Sequence, residues 1–145
     1  MKYLLAIGLV LLIEAVGASA HLPAIVAPLQ NQNAIPGASW SATAPSLGPG
    51  FVFLAEAGNS VNLMNIGGRD VHLLLKSSTG SLTKVGDVMR RTFVARGITV
   101  IATFKANWVC PKDDDSCEVT RFSATFDVTK GKRHQKVVGF GDVGS

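Results

Sequence analysis

Cys110 and Cys117 are the chain's only cysteines, and they bracket three consecutive aspartates in "NWVCPKDDDSCEVT", residues 107–120. Three chemistries compete for this stretch. Thiol redox catalysis uses a two-residue spacing ahead of a helix, whose N-terminus depresses a thiol pKa. Six intervening residues between two strand-like segments do not fit it. Zinc needs four ligands, usually in close pairs, and no histidine lies near either cysteine. A calcium loop spaces its oxygens at alternating positions around a glycine, whereas "KDDDSC" has contiguous acids and no glycine. The remaining reading is a disulfide that pins a hairpin, the default for two cysteines in a secreted chain. Closing so short a loop is worth about 2–3 kcal/mol.

His21 is a second candidate. If processing leaves it at the N-terminus, its amine and Nδ1 could chelate copper, with His72 or His134 as a third nitrogen donor. That would make a copper-dependent oxidase or oxygenase. Hydrolytic chemistry finds little: no G-x-S-x-G occurs, and no carboxylate pair shares a strand face at a spacing suited to acid–base work. The sequence thus supports no catalytic residue, no resident metal and no cofactor. It points to a non-enzymatic protein, with copper at His21 as the rival.

The chain opens "MKYLLAIGLVLLIEAVGASA", with a lysine, an apolar run and an A-x-A ending, the pattern of a signal peptide over residues 1–20. The run Tyr3–Ile13 is too short to span a bilayer, which takes about 20 residues, and no later stretch is longer. A secreted, extracellular location follows, with or without uptake into host cells. The net charge is +4, and nearly every charge lies after Gly68. Nucleic-acid binding wants clustered cations interleaved with aromatics. Here Arg69, Lys76, Lys84, Arg96, Lys105 and Arg121 stand singly, so no nucleic-acid partner is expected. The cluster Lys130, Lys132, Arg133 and Lys136 leaves open an anionic glycan or lipid.

Residues 21–50 hold five prolines and no charge, and proline permits neither a long ladder nor a helix. This predicts an irregular arm or pro-segment, with Ile25, Val26 and Trp40 as anchor points. From Phe51 onward short apolar runs recur between Gly, Asn, Ser and Asp turns, the signature of a sandwich or barrel. Strands are expected over 51–57, 60–66, 70–77, 81–85, 87–95, 98–110, 117–129 and 135–140. In the two longest, Ile98, Val100, Ala102, Phe104, Ala106 and Trp108 share one face, as do Phe122, Ala124, Phe126 and Val128. Each pattern suits an antiparallel sheet covering a core with one side. The expected fold is therefore all-β: a small antiparallel β-sandwich over 51–145 with one hairpin disulfide.

The segment Ser60–Phe93 resembles the ToxA-like host-selective toxins of fungal plant pathogens, through Val61–Asn65, Gly67-Gly68, Val71–Lys76 and Gly86-Asp87-Val88. The resemblance implies a small β-sandwich released after loss of a signal and a pro-segment. That family's cell-binding loop carries an arginine where this chain has Val85, so integrin-like recognition does not transfer. "VHLLLKSS" and "FSATFDV" are also similar to small secreted plant self-incompatibility-type proteins. Both imply a secreted recognition protein without catalysis, and the leading expectation is an effector or virulence factor that binds a host or cell-surface protein. The expected contact residues lie on turns: Arg69, Asp70, Val85, Gly86, Asp87, and the acidic tip Asp113, Asp114 and Asp115. The sequence carries no signal for oligomeric state.

Overall fold

The computed structural model describes Gly17 and residues 22–144. The expected signal peptide, Gly17 apart, and His21 lie outside the described residues.

Ten strands form one antiparallel fold: β1 Val26–Ala27, β2 Trp40–Thr43, β3 Phe51–Ala55, β4 Asn62–Ile66, β5 Asp70–His72, β6 Leu74–Gly80, β7 Val88–Ala95, β8 Ile98–Trp108, β9 Val119–Lys130 and β10 Arg133–Gly144. The neighbour order runs β1-β4-β3-β2-β10-β9-β8-β7-β6, and β5 pairs with β4. Met64 has Phe53 on one side and Val71 on the other, so β3 and β5 flank opposite edges of β4. The chain then passes from β5 through buried Leu73 into β6, which pairs with β7. One continuous segment thus leaves the β2–β5 layer and enters the β6–β10 layer, as strands do at a sandwich corner. The other corner is the β2–β10 pairing, Trp40↔Val143 to Thr43↔Phe140.

At that second corner Gly139 and Gly141 let β10 lie close against β2. A Cβ on Gly139 would sit 2.4 Å from the Thr43 carbonyl oxygen, and one on Gly141 only 1.9 Å from that of Ser41. Glycine inside a strand marks this kind of close backbone approach.

Between the layers lies an aromatic core. Phe53 of β3 meets Phe93, Phe104 and Phe126 at centroid distances of 5.6, 6.3 and 5.5 Å. Trp40 of β2 lies 5.2 Å from Phe104 and 5.8 Å from Phe122. The rings are tilted or edge-on, the arrangements that aromatic quadrupoles favour. Phe93, Phe104, Phe122 and Phe126 all come from alternate, inward positions of β7–β9, as the period-two pattern requires.

Four expectations are corrected. Trp108 does not join this core: a bulge between Ala106 and Trp108 turns it outward, 37% exposed, with the Arg121 guanidinium 5.2 Å from its ring. Trp40, from the proline-rich stretch, supplies the buried indole instead. Residues 81–85 form no strand but a loop that tucks Leu82 into the core. The strand expected over 70–77 is split at Leu73 and runs on to Gly80.

The fourth concerns residues 22–50, which are no appendage. β2 lies between β3 and β10, and Ile25, Val26 and Trp40 are buried. Between β1 and β2 the chain crosses the outer side of β3 and β4, where Leu29 and Ile35 pack on Leu54 and Leu63. That second cover explains why β3 and β4 are buried at nearly every position. A strand covered on both faces reads as a continuous apolar run rather than an alternation. The prolines fit because they lie outside β1 and β2.

Candidate functional site

The eight turn residues expected to make contacts divide between the two ends of the sandwich. Arg69 lies in the β4–β5 turn and Asp70 opens β5, whereas Val85, Gly86 and Asp87 precede β7 and Asp113–Asp115 lie between β8 and β9. At the second end the two connections approach each other. The Gly86 amide donates to the Ala106 carbonyl, and the Ala106 amide donates to Asp87's. A cleft of about 400 Å³ there is bordered by Leu82, Thr83, Cys110, Cys117 and Val119. The Cys110–Cys117 disulfide is formed, and the Val119 amide donates to the Cys110 sulfur at 3.3 Å.

Two of the eight hold the fold itself. Both Asp70 carboxylate oxygens accept arm amides, from Gln30 at 2.8 Å and Asn31 at 2.9 Å. One Asp87 oxygen accepts from the Thr83 amide and hydroxyl, the Lys84 amide and the Ser81 hydroxyl. The Lys84 amide and then the Thr83 hydroxyl hold the Asp87 carboxyl below its ordinary value of 3.8. Hydrogen bonds to the ionised form stabilise that form. Val85, exposed at the tip of the same loop, and the exposed Asp113 and Asp115 are left free to meet a partner, whereas one Asp114 oxygen accepts from the Ser116 amide and hydroxyl.

The strand register brings to light a surface that the sequence did not single out. Phe140, Ser123, Lys105 and Val88 form one row across β10, β9, β8 and β7. Val138, Thr125, Thr103 and Arg90 form the next. These rows lie on the solvent side of the β6–β10 layer, where Phe140 is 53% and Val138 54% exposed. Beside Phe140 a shallow groove of about 280 Å³ is framed by Arg121 and Asp142, which face each other in register. Ser41 donates to Asp142 at 3.1 Å. The glycines at 139 and 141, needed for the corner, leave β10 with large side chains only on its outer side at this point. "VVGFGDV" hides the alternation because Val137 and Val138 are adjacent yet face opposite ways.

The inner side of β7 carries one cation. Arg91 stacks 4.3 Å over Trp40 and donates to Asn59 and Ser78. Burial lowers its pKa, but arginine stays charged at neutral pH. Asn59 adopts a positive φ of 57°, a conformation that asparagine tolerates better than most residues. Asn62 locks it by donating to the Asn59 and Leu73 carbonyls. Arg91 thereby ties the β3–β4 connection to the facing layer. The dibasic pair Arg90-Arg91 lies inside β7.

His72 is exposed on β5, and His134 on β10 lies 3.5 Å from Asp127. Among the described residues no three His, Cys, Asp or Glu side chains gather to hold a metal ion. No helix among them is long and apolar enough to cross a membrane. The chain matches no family model, no curated protein and no solved structure.

Proposed function

We propose that this chain is a secreted, non-enzymatic binding protein, an effector or toxin-like factor that acts on a host or cell-surface protein. The observation that carries this reading is the outer side of β10. Half-exposed Phe140 and Val138 stand beside a groove with Arg121 and Asp142 at its rim. An exposed aromatic flanked by an arginine is the composition that protein interfaces favour at their centres. The scaffold behind it is fixed by the two corners, so binding costs little ordering. A disulfide-bonded β domain is compatible with an extracellular location. The resemblance of Ser60–Phe93 to ToxA-like toxins points the same way.

The test is binding of fluorescently labelled protein to candidate cells, comparing wild type with Val138→Ser/Phe140→Ser. Saturable wild-type binding, weakened at least about tenfold in a variant of equal melting temperature, is expected for loss of two interface anchors. Equal binding by both proteins, or turnover of a substrate without cell binding, contradicts the reading.

A further inference from the structure

Cations far apart in the sequence meet at one end of the sandwich. The Gly131 amide donates to the Gly97 carbonyl, joining the β9–β10 and β7–β8 turns. The β4–β5 turn joins them through Lys130, whose ammonium lies over Gly67, where a Cβ would sit 2.1 Å from it. Arg69, Arg96, Lys130, Lys132 and Arg133 therefore share one pole, drawn from three turns. The acid nearest them in sequence, Asp70, has both oxygens committed to arm amides. The far pole carries Asp113–Asp115 and Glu118 against a single cation, Lys112, on the β8–β9 connection. The molecule is thus electrically polar along the strands.

The start of the described chain reaches the same basic pole. Gln135 accepts the Ile25 and Val26 amides, and Arg133 donates to the Pro23 carbonyl. A cavity of about 650 Å³ lies between residues 22–25 and 132–135. Leu22 stands at its edge, 72% exposed. The three basic turns contain no aromatic residue, so no stacking platform for nucleic-acid bases accompanies the charge.

We propose that this pole docks on an anionic phospholipid surface: the five cations engage headgroup phosphates while Leu22 enters the interface. Exposed cations beside an apolar side chain match the two components of a negatively charged bilayer surface. The charge separation along the strands turns the basic end towards it. The surface is separate from the Phe140 groove and stands independently of which protein that groove meets.

The experiment is co-sedimentation of the protein, in the form recovered from culture medium, with phosphatidylcholine vesicles lacking or containing about a third phosphatidylserine. The proposal expects binding only to the anionic vesicles, abolished at about 1 M salt, where the screening length falls to about 3 Å. Arg69→Ser/Arg96→Ser/Lys132→Ser removes three exposed cations and should lower the partition coefficient on the order of 100-fold. Leu22→Ser should lower it severalfold. Val138→Ser/Phe140→Ser should bind vesicles like wild type, which separates this surface from the one proposed above. Equal binding to neutral vesicles, undiminished binding by the triple variant, or binding to a sulfated polysaccharide without any to vesicles would each overturn the proposal.

Discussion

Asp70 and Asp87 illustrate how a residue with binding chemistry is spent on architecture. Each carboxylate faces backbone amides at 2.8–3.0 Å, the short distances expected of charge-assisted bonds. The two kinds of turn aspartate look alike in sequence. What separates Asp87 from Asp113 is the loop that folds back over it, a property of loop path rather than residue type. Asp87 gives a sign-definite pH effect. Its folded pKa is held below 3.8, so its stabilising contribution is complete above the unfolded value and vanishes as pH falls through the folded one. The difference in urea midpoint between wild type and Asp87→Asn should be constant above about pH 5 and shrink below pH 3.8. A difference that grows on acidification would contradict the assigned bonds.

Among the elements, the corner strands matter most. At Gly141 a Cβ would lie 1.9 Å from the Ser41 oxygen and 2.9 Å from both the Ala42 Cα and the Phe122 ring. Two of these neighbours are backbone and cannot swing away. Gly141→Ala should therefore destabilise by about 3 kcal/mol, the upper range for overpacking, measured by chemical denaturation. Gly144→Ala, whose Cβ meets only the Glu118 oxygen at 3.5 Å, should be close to neutral. Most elements were legible before the structure: β8 and β9 alternate cleanly because only one face of each is covered. β2 was not, since a four-residue strand between prolines gives no periodicity to detect. Trp108 was misplaced because a single bulge reverses every later side chain, and "ANWVC" carries no glycine to announce it. The Phe140 row escaped for a related reason, as its inward neighbours are glycines rather than apolar residues.

For the molecule as a whole, the fold turns a chain of dispersed charges into a body with two poles and one apolar-studded side. No local reading could gather Arg69, Arg96 and Lys130, because their proximity depends on three turns closing at the same end. The disulfide, by contrast, could be read locally, since Cys110 and Cys117 bracket a single connection. The central claim is that residues 22–144 form one body, with the proline-rich stretch built into its sheet. Hydrogen–deuterium exchange of the β2 amides tests this most directly, because Trp40–Thr43 have β3 on one side and β10 on the other. Protection of the Ser41–Thr43 segment matching that of β9 is the predicted result. Exchange at the rate of an unstructured chain, with β9 still protected, would show a detachable arm and contradict the account.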